Sequence, residues 1–163
     1  MIRSTSANIA GRGIVAGAAG GIAEILWILV YATATGTDAA TLARGITTAV
    51  GANLIFTNGS VTTGVAVHMV LAVTLGVALA FTWTYFSRHW ARQMSPYVLV
   101  TVALAAVWVV NFLFVLPLLS PDFVQIVPYP ISLASKLLFG LAASAVLSHK
   151  ALRSTTKLAI TIK

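Results

Sequence analysis

The stretch GIVAGAAGGIAEILWILVYA, residues 13–32, decides the fold. It is an almost unbroken apolar run, and a helix needs ~20 such residues to cross a bilayer core of ~30 Å. One carboxylate, Glu24, sits in the middle of it. Gly13, Gly17, then Gly20 or Gly21, and Glu24 follow one another at steps of three and four, so on a helix they share a face. A glycine face lets a second helix approach closely. Glu24 is therefore expected to point into a helix bundle. Facing lipid, a lone charge at this depth would cost roughly 2.5–3.5 kcal/mol on the insertion scale.

The rest of the chain fits a membrane setting. Of 163 residues, 59% are hydrophobic and only 8% are charged, against roughly 25% charged in soluble domains. A water-soluble protein of this size has too little interior to hide so much apolar surface. The absence of cysteine excludes disulfides, thiolate metal sites and cysteine catalysis. The net charge of +7 would suggest nucleic acid in a soluble domain. Here the basic residues stand beside apolar runs, which points to membrane orientation and to no nucleic-acid partner.

Four spans are predicted, at about residues 13–34, 61–87, 97–119 and 130–147, forming one integral membrane domain over 1–163. The fold class is all-α, a four-transmembrane-helix bundle. Pro130 suits the first turn of the last helix. SPDF at 120–123 and VPYP at 127–130 predict a short, proline-punctuated turn. Between spans one and two, Asp38 is placed to cap a helix over about 39–56, apolar enough to lie at the membrane surface or to dip in and line a cavity.

Charge sets the expected threading. Arg3, Arg12, Arg88, Arg92, Lys150, Arg153, Lys157 and Lys163 fall on one side, eight of the ten basic residues. Arg44, Asp38 and Asp122 fall on the other. The positive-inside rule then puts both termini in the cytoplasm. The expected location is the bacterial inner membrane, with the interfacial helix in the first external loop. Arg3, Arg12, the following apolar run and ATA at 32–34 also resemble a secretory signal with its cleavage site. The length of the run and the interruption at Glu24 weigh against that alternative.

Two further spans repeat the pattern of the first. Gly64, His68, Ala72 and Gly76 stand at four-residue spacing, and Lys136, Gly140, Ala143 and Ser144 share another small-residue face. Asn111 lies at a comparable depth in span three, on a bulkier face. Glu24 is twelve residues from Arg12, about 18 Å along a helix, and the other three lie about 21–22 Å from their own cytoplasmic boundaries. Glu24, His68, Asn111 and Lys136 thus form a candidate buried polar layer. Glu24 and Lys136 are the expected ion pair, and His68 and Asn111 could supply further hydrogen bonds. Such a layer can be purely structural, can carry protons or ions, or can bind a lipid, quinone or partner helix.

Familiar catalytic and cofactor signatures are missing. Only His68 among the histidines lies deep, so haem would lack a second ligand, and His68 with Glu24 alone would under-ligate a metal. His89 and His149 flank the cytoplasmic boundary. The glycines at 17–21 lack the lysine and preceding strand of a phosphate loop. No serine has a convincing base. The expectation is a non-enzyme without cofactor or catalytic residue.

AVHMVLAVTLGVALAF at 66–81, WVVNFLFVLPLLSPDF at 108–123 and SKLLFGLAAS at 135–144 together resemble a group of small bacterial four-span membrane proteins. Those relatives share a histidine in span two, a VLP segment before an Asn- or Ser-Pro turn, and a His- or Lys-Leu-x-Phe-Gly start to the last span. Lys136 stands where many members carry histidine. The resemblance covers about residues 60–147 and implies the four-span fold without an activity. Small size and three small-residue faces suggest an accessory or stabilising subunit, whose partners are the bilayer and other membrane subunits. The alternative is a small transporter or proton-conducting protein built on the polar layer.

Overall fold

In the computed structural model, residues 6–49, 61–89, 95–119 and 121–161 are described, with side chains followed to residue 148 in the last helix. The expected interfacial segment beyond residue 49 lies outside these residues. So do Arg3, Arg92 and Lys163, and the side chains of Arg88, His89, His149, Lys150, Arg153 and Lys157.

The described chain is helical: α1 (Ser6–Thr35), α2 (Ala39–Ala49), α3 (Val61–His89), α4 (Pro96–Leu119), α5 (Pro121–Ile126) and α6 (Tyr129–Thr161). Four of these, α1, α3, α4 and the Tyr129–Ser148 part of α6, are long and apolar enough to cross a membrane. Only 22–39% of the residues in their most apolar windows are buried. The outward side chains, among them Leu26, Val30, Val70, Val102 and Leu118, are large and apolar. That surface matches lipid rather than water.

Three boundaries differ from the sequence expectation, each for a local reason. The last helix does not stop near 147, because Ser148–Thr161 contains neither glycine nor proline to break it. At 33 residues it is about 50 Å long, more than a bilayer core needs. The first helix starts at Ser6 rather than Gly13, since residues 6–12 hold no proline and their one glycine, Gly11, costs a helix only about 1 kcal/mol. The SPDF segment is not a plain turn. Pro121 opens a short helix with Asp122 in its first turn, where a preset φ and a negative charge both favour helix initiation.

Between α1 and α2, the Asp38 cap is built as the sequence suggests, and the structure adds a turn at Gly36. Gly36 takes φ 69°, and the Thr37 amide donates to the Ala32 carbonyl at 3.0 Å, a glycine-terminated helix end. Asp38 then caps α2, accepting from the Ala40 and Thr41 amides at 3.1 Å each and from the Thr41 hydroxyl at 2.8 Å. The Thr41 hydroxyl, then the Ala40 amide, hold this exposed carboxyl below its ordinary pKa.

Helices α1 and α6 form the centre. Helix α3 packs on one side of α1, α4 packs on α6, and α3 and α4 approach each other only lightly. Neighbouring spans run antiparallel. Gly13 lies at Val77 and Gly21 at Ala72, while Pro96 pairs with Ser144 and Trp108 with Ser132. Arg12 donates to the Leu147 carbonyl, which fixes the same end of α1 and α6. The core between them is Ala16, Ala72, Leu79, Val100, Leu104, Phe139 and Ala143.

Helix α4 is interrupted at Asn111–Val115 by a π-helical segment. There the Leu116 amide bonds the Asn111 carbonyl, five residues back. Pro117 explains it: a proline inside a helix has no amide to donate and crowds the carbonyl four residues before it. Widening the preceding turn relieves that crowding.

Candidate ligand site inside the bundle

Glu24 is almost fully buried at the α1–α6 contact. Lys136 Nζ donates to its Oε1 at 2.6 Å, and the Ser135 hydroxyl donates to the same oxygen at 3.2 Å. From α3, His68 Nε2 stands 3.6 Å from Oε2, too far for a hydrogen bond. That ring is also bonded to the Gly21 backbone. Nε2 is buried without a partner among the described residues. The expected Glu24–Lys136 pair is therefore present, and His68 completes a three-helix cluster.

Asn111 does not join it by a hydrogen bond among the described residues. It stands on the π segment of α4, on the wall of a cavity whose floor is Glu24, His68 and Lys136. The cavity holds about 530 Å³ and fills the space that α3 and α4 leave between them. Its walls are mostly apolar, with Ile28, Leu71, Val107, Phe112 and Phe139 among them, and Leu42 and Ile46 of α2 cover one end. Helix α2 thus contributes Leu42, Ala43 and Ile46 to the cavity lining.

The glycines shape this space. Gly13 and Gly17 bring α1 against the α3 backbone, where Gly76 meets Gly17 itself. Gly21 faces Ala72 of α3, while Gly20 turns to α6, where an added Cβ would lie 2.7 Å from the Phe139 ring. The one glycine face of α1 therefore serves two neighbours. Gly64 abuts Ala43 of α2, not another span, and Gly140 faces Leu104 of α4. Each of these packs inside the chain.

Several site residues carried no sequence signal. Ser135 precedes Lys136, and adjacent helical residues point about 100° apart, yet Glu24 lies between them and receives both. Two indoles tie the first turns of α6. Trp27 Nε1 donates to the Ile131 carbonyl at 3.0 Å, and Trp108 Nε1 donates to the Ser132 hydroxyl at 2.9 Å. Trp108 also stacks on Phe112 with centroids 5.8 Å apart, fixing that cavity wall. Buried indole N–H groups need such acceptors, but nothing in the sequence says which.

Among the described residues, no three His, Cys, Asp or Glu side chains come together as a metal would need. The arrangement is a charge-balanced polar floor beneath an apolar chamber. Four spanning-length helices around it have the build of a multi-pass membrane protein. No protein family, no curated protein and no solved structure matches the chain.

Proposed function

We propose that this chain is a non-catalytic protein of the bacterial inner membrane that binds an amphiphile in the cavity between α3 and α4. One observation carries this: an apolar chamber of about 530 Å³ ends on Glu24, Lys136 and His68. Ligand sites are typically clefts of about 300–1,000 Å³, mostly apolar, with a few convergent polar groups. An accessory-subunit role drew its support from glycine faces left over for other chains. Gly13, Gly17, Gly20, Gly21, Gly64, Gly76 and Gly140 all pack within this one, so that support falls away and the cavity takes its place.

Protein purified in mild detergent should carry a bound lipid in native mass spectra. Val107→Trp, at a half-exposed cavity wall, should fold normally and be empty. Wild-type protein that is empty and gains no thermal stability from any membrane lipid would sink the proposal. A second reading, a small proton-conducting or transport protein, is favoured by the 3.6 Å approach of His68 to Glu24. It predicts pH-dependent flux in liposomes that His68→Gln abolishes.

The proposed threading has both termini in the cytoplasm and α2 at the outer surface. Eight of ten basic residues support it. Reporter fusions after Arg92 and after Lys157 should both read cytoplasm, and one after Asn58 should read outside. A periplasmic signal after Lys157 would reverse the assignment.

A further inference from the structure

We infer that the occupant of the cavity is a neutral lipid with a carbonyl- or hydroxyl-bearing ring, of the isoprenoid quinone and quinol class; this rests on the amphiphile-binding role proposed above. Depth is the first observation. The floor at Glu24 is about 18 Å along α1 from Arg12, and Lys136 is about 10 Å along α6 from Tyr129. A phospholipid headgroup lives at the interface, outside the hydrocarbon. Bringing a phosphate this deep would carry an uncompensated charge into low dielectric. A ligand whose polar end reaches this floor must be one whose head tolerates the bilayer interior.

Charge is the second observation. Glu24 and Lys136 neutralise each other at 2.6 Å. With neutral His68, the floor presents no surplus cation for a carboxylate or phosphate and no surplus anion for an amine. What it does present is hydrogen-bonding capacity. Lys136 has three donors, one of them used on Glu24. The Asn111 amide is unbonded among the described residues and lines the same space. These groups suit ring carbonyl or hydroxyl oxygens.

His68 supplies the complementary function. With one ring nitrogen bonded to the Gly21 backbone, the buried Nε2 of a neutral imidazole is an acceptor without a donor. A ring hydroxyl would satisfy it. Phe112, next to Asn111 in the chain, lines the cavity, and Trp108 backs it. A flat aromatic wall matches a flat head, and the light contact between α3 and α4 leaves room for an aliphatic tail.

The test is titration of the full-length protein, in lipid nanodiscs, with a benzoquinone bearing a ten-carbon tail, read by tryptophan quenching. Empty nanodiscs with a soluble indole reporter give the partition background. Saturable quenching above that background is expected. Val107→Trp should abolish displaceable binding of the radiolabelled quinone. Asn111→Leu, at a partly exposed position that a hydrophobic side chain can fill, should weaken it about five- to tenfold, the scale of one hydrogen bond. Both variants are checked for wild-type thermal stability first. Oleate and diacylglycerol should fail to displace the quinone. Displacement by either at equal concentration, or an Asn111→Leu variant that binds like wild type, would overturn the quinone assignment while leaving an amphiphile site in place. Protein that binds none of the three probes and is empty as purified would overturn both.

Discussion

Glu24→Gln and Lys136→Met should each sharply lower the yield of folded protein in detergent, and the double variant should recover most of it. Lys136 Nζ lies 2.6 Å from a carboxylate that is almost wholly buried. Removing one partner strands the other's charge, and breaking such a pair costs roughly 3–5 kcal/mol. That is a large share of the ~5–15 kcal/mol by which domains are stable. Removing both replaces a charged pair with groups of similar size, which is often near neutral. In the Glu24→Gln variant the Ser135 hydroxyl loses a charged acceptor but can still donate to the side-chain amide oxygen that replaces it. The comparison is made by thermal unfolding in one detergent. If the single variants melt like wild type, the pair contributes nothing and the cavity floor is hydrated.

A comparable loss is expected from Gly17→Val. An added Cβ at Gly17 would collide with the Ala72 carbonyl and lie 2.7 Å from the Val73 Cα. Overpacking a core costs roughly 1–3 kcal/mol when neighbouring side chains can give way. Here the obstacle is α3 backbone, so α1 and α3 must separate and the cost falls at or beyond the upper end. Gly11→Val is the control. Nothing lies within 4 Å of that position, so it should be tolerated. Equal melting temperatures for Gly17→Val and wild type would show that α1 and α3 do not cross as described.

The spans and the ion pair were legible in the sequence because both follow from the helical period. Apolar runs of bilayer length announce the spans, and the glycine steps through Glu24 announce the buried face. The pairing of Glu24 with Lys136 followed from depth and charge alone. The cavity was not legible. It exists because α1 and α6, not α3 and α4, take the centre of the bundle, and that choice depends on which glycines meet backbone. Sequence spacing gives Gly13, Gly17, Gly20 and Gly21 one face, yet cannot show that Gly20 serves α6 while its neighbours serve α3. Depth along span three brings Asn111 level with the cluster. Asn111 opens the π segment, and it stands on the cavity wall because α3 and α4 approach each other only lightly. The short α5 was hidden because proline marks both turns and helix starts, and only the neighbouring packing decides between them.

The central claim is that the charge pair is also the floor of a ligand site, and the double variant tests it most directly. Glu24→Gln with Lys136→Met should give folded protein, because neither charge is stranded. It should nevertheless retain far less lipid than wild type in native mass spectra after the same mild purification, because the Lys136 donors at the cavity floor are gone. A folded double variant that carries the same lipid at the same occupancy would contradict the account, and would leave Glu24 and Lys136 as a device that only fixes how α1 and α6 meet.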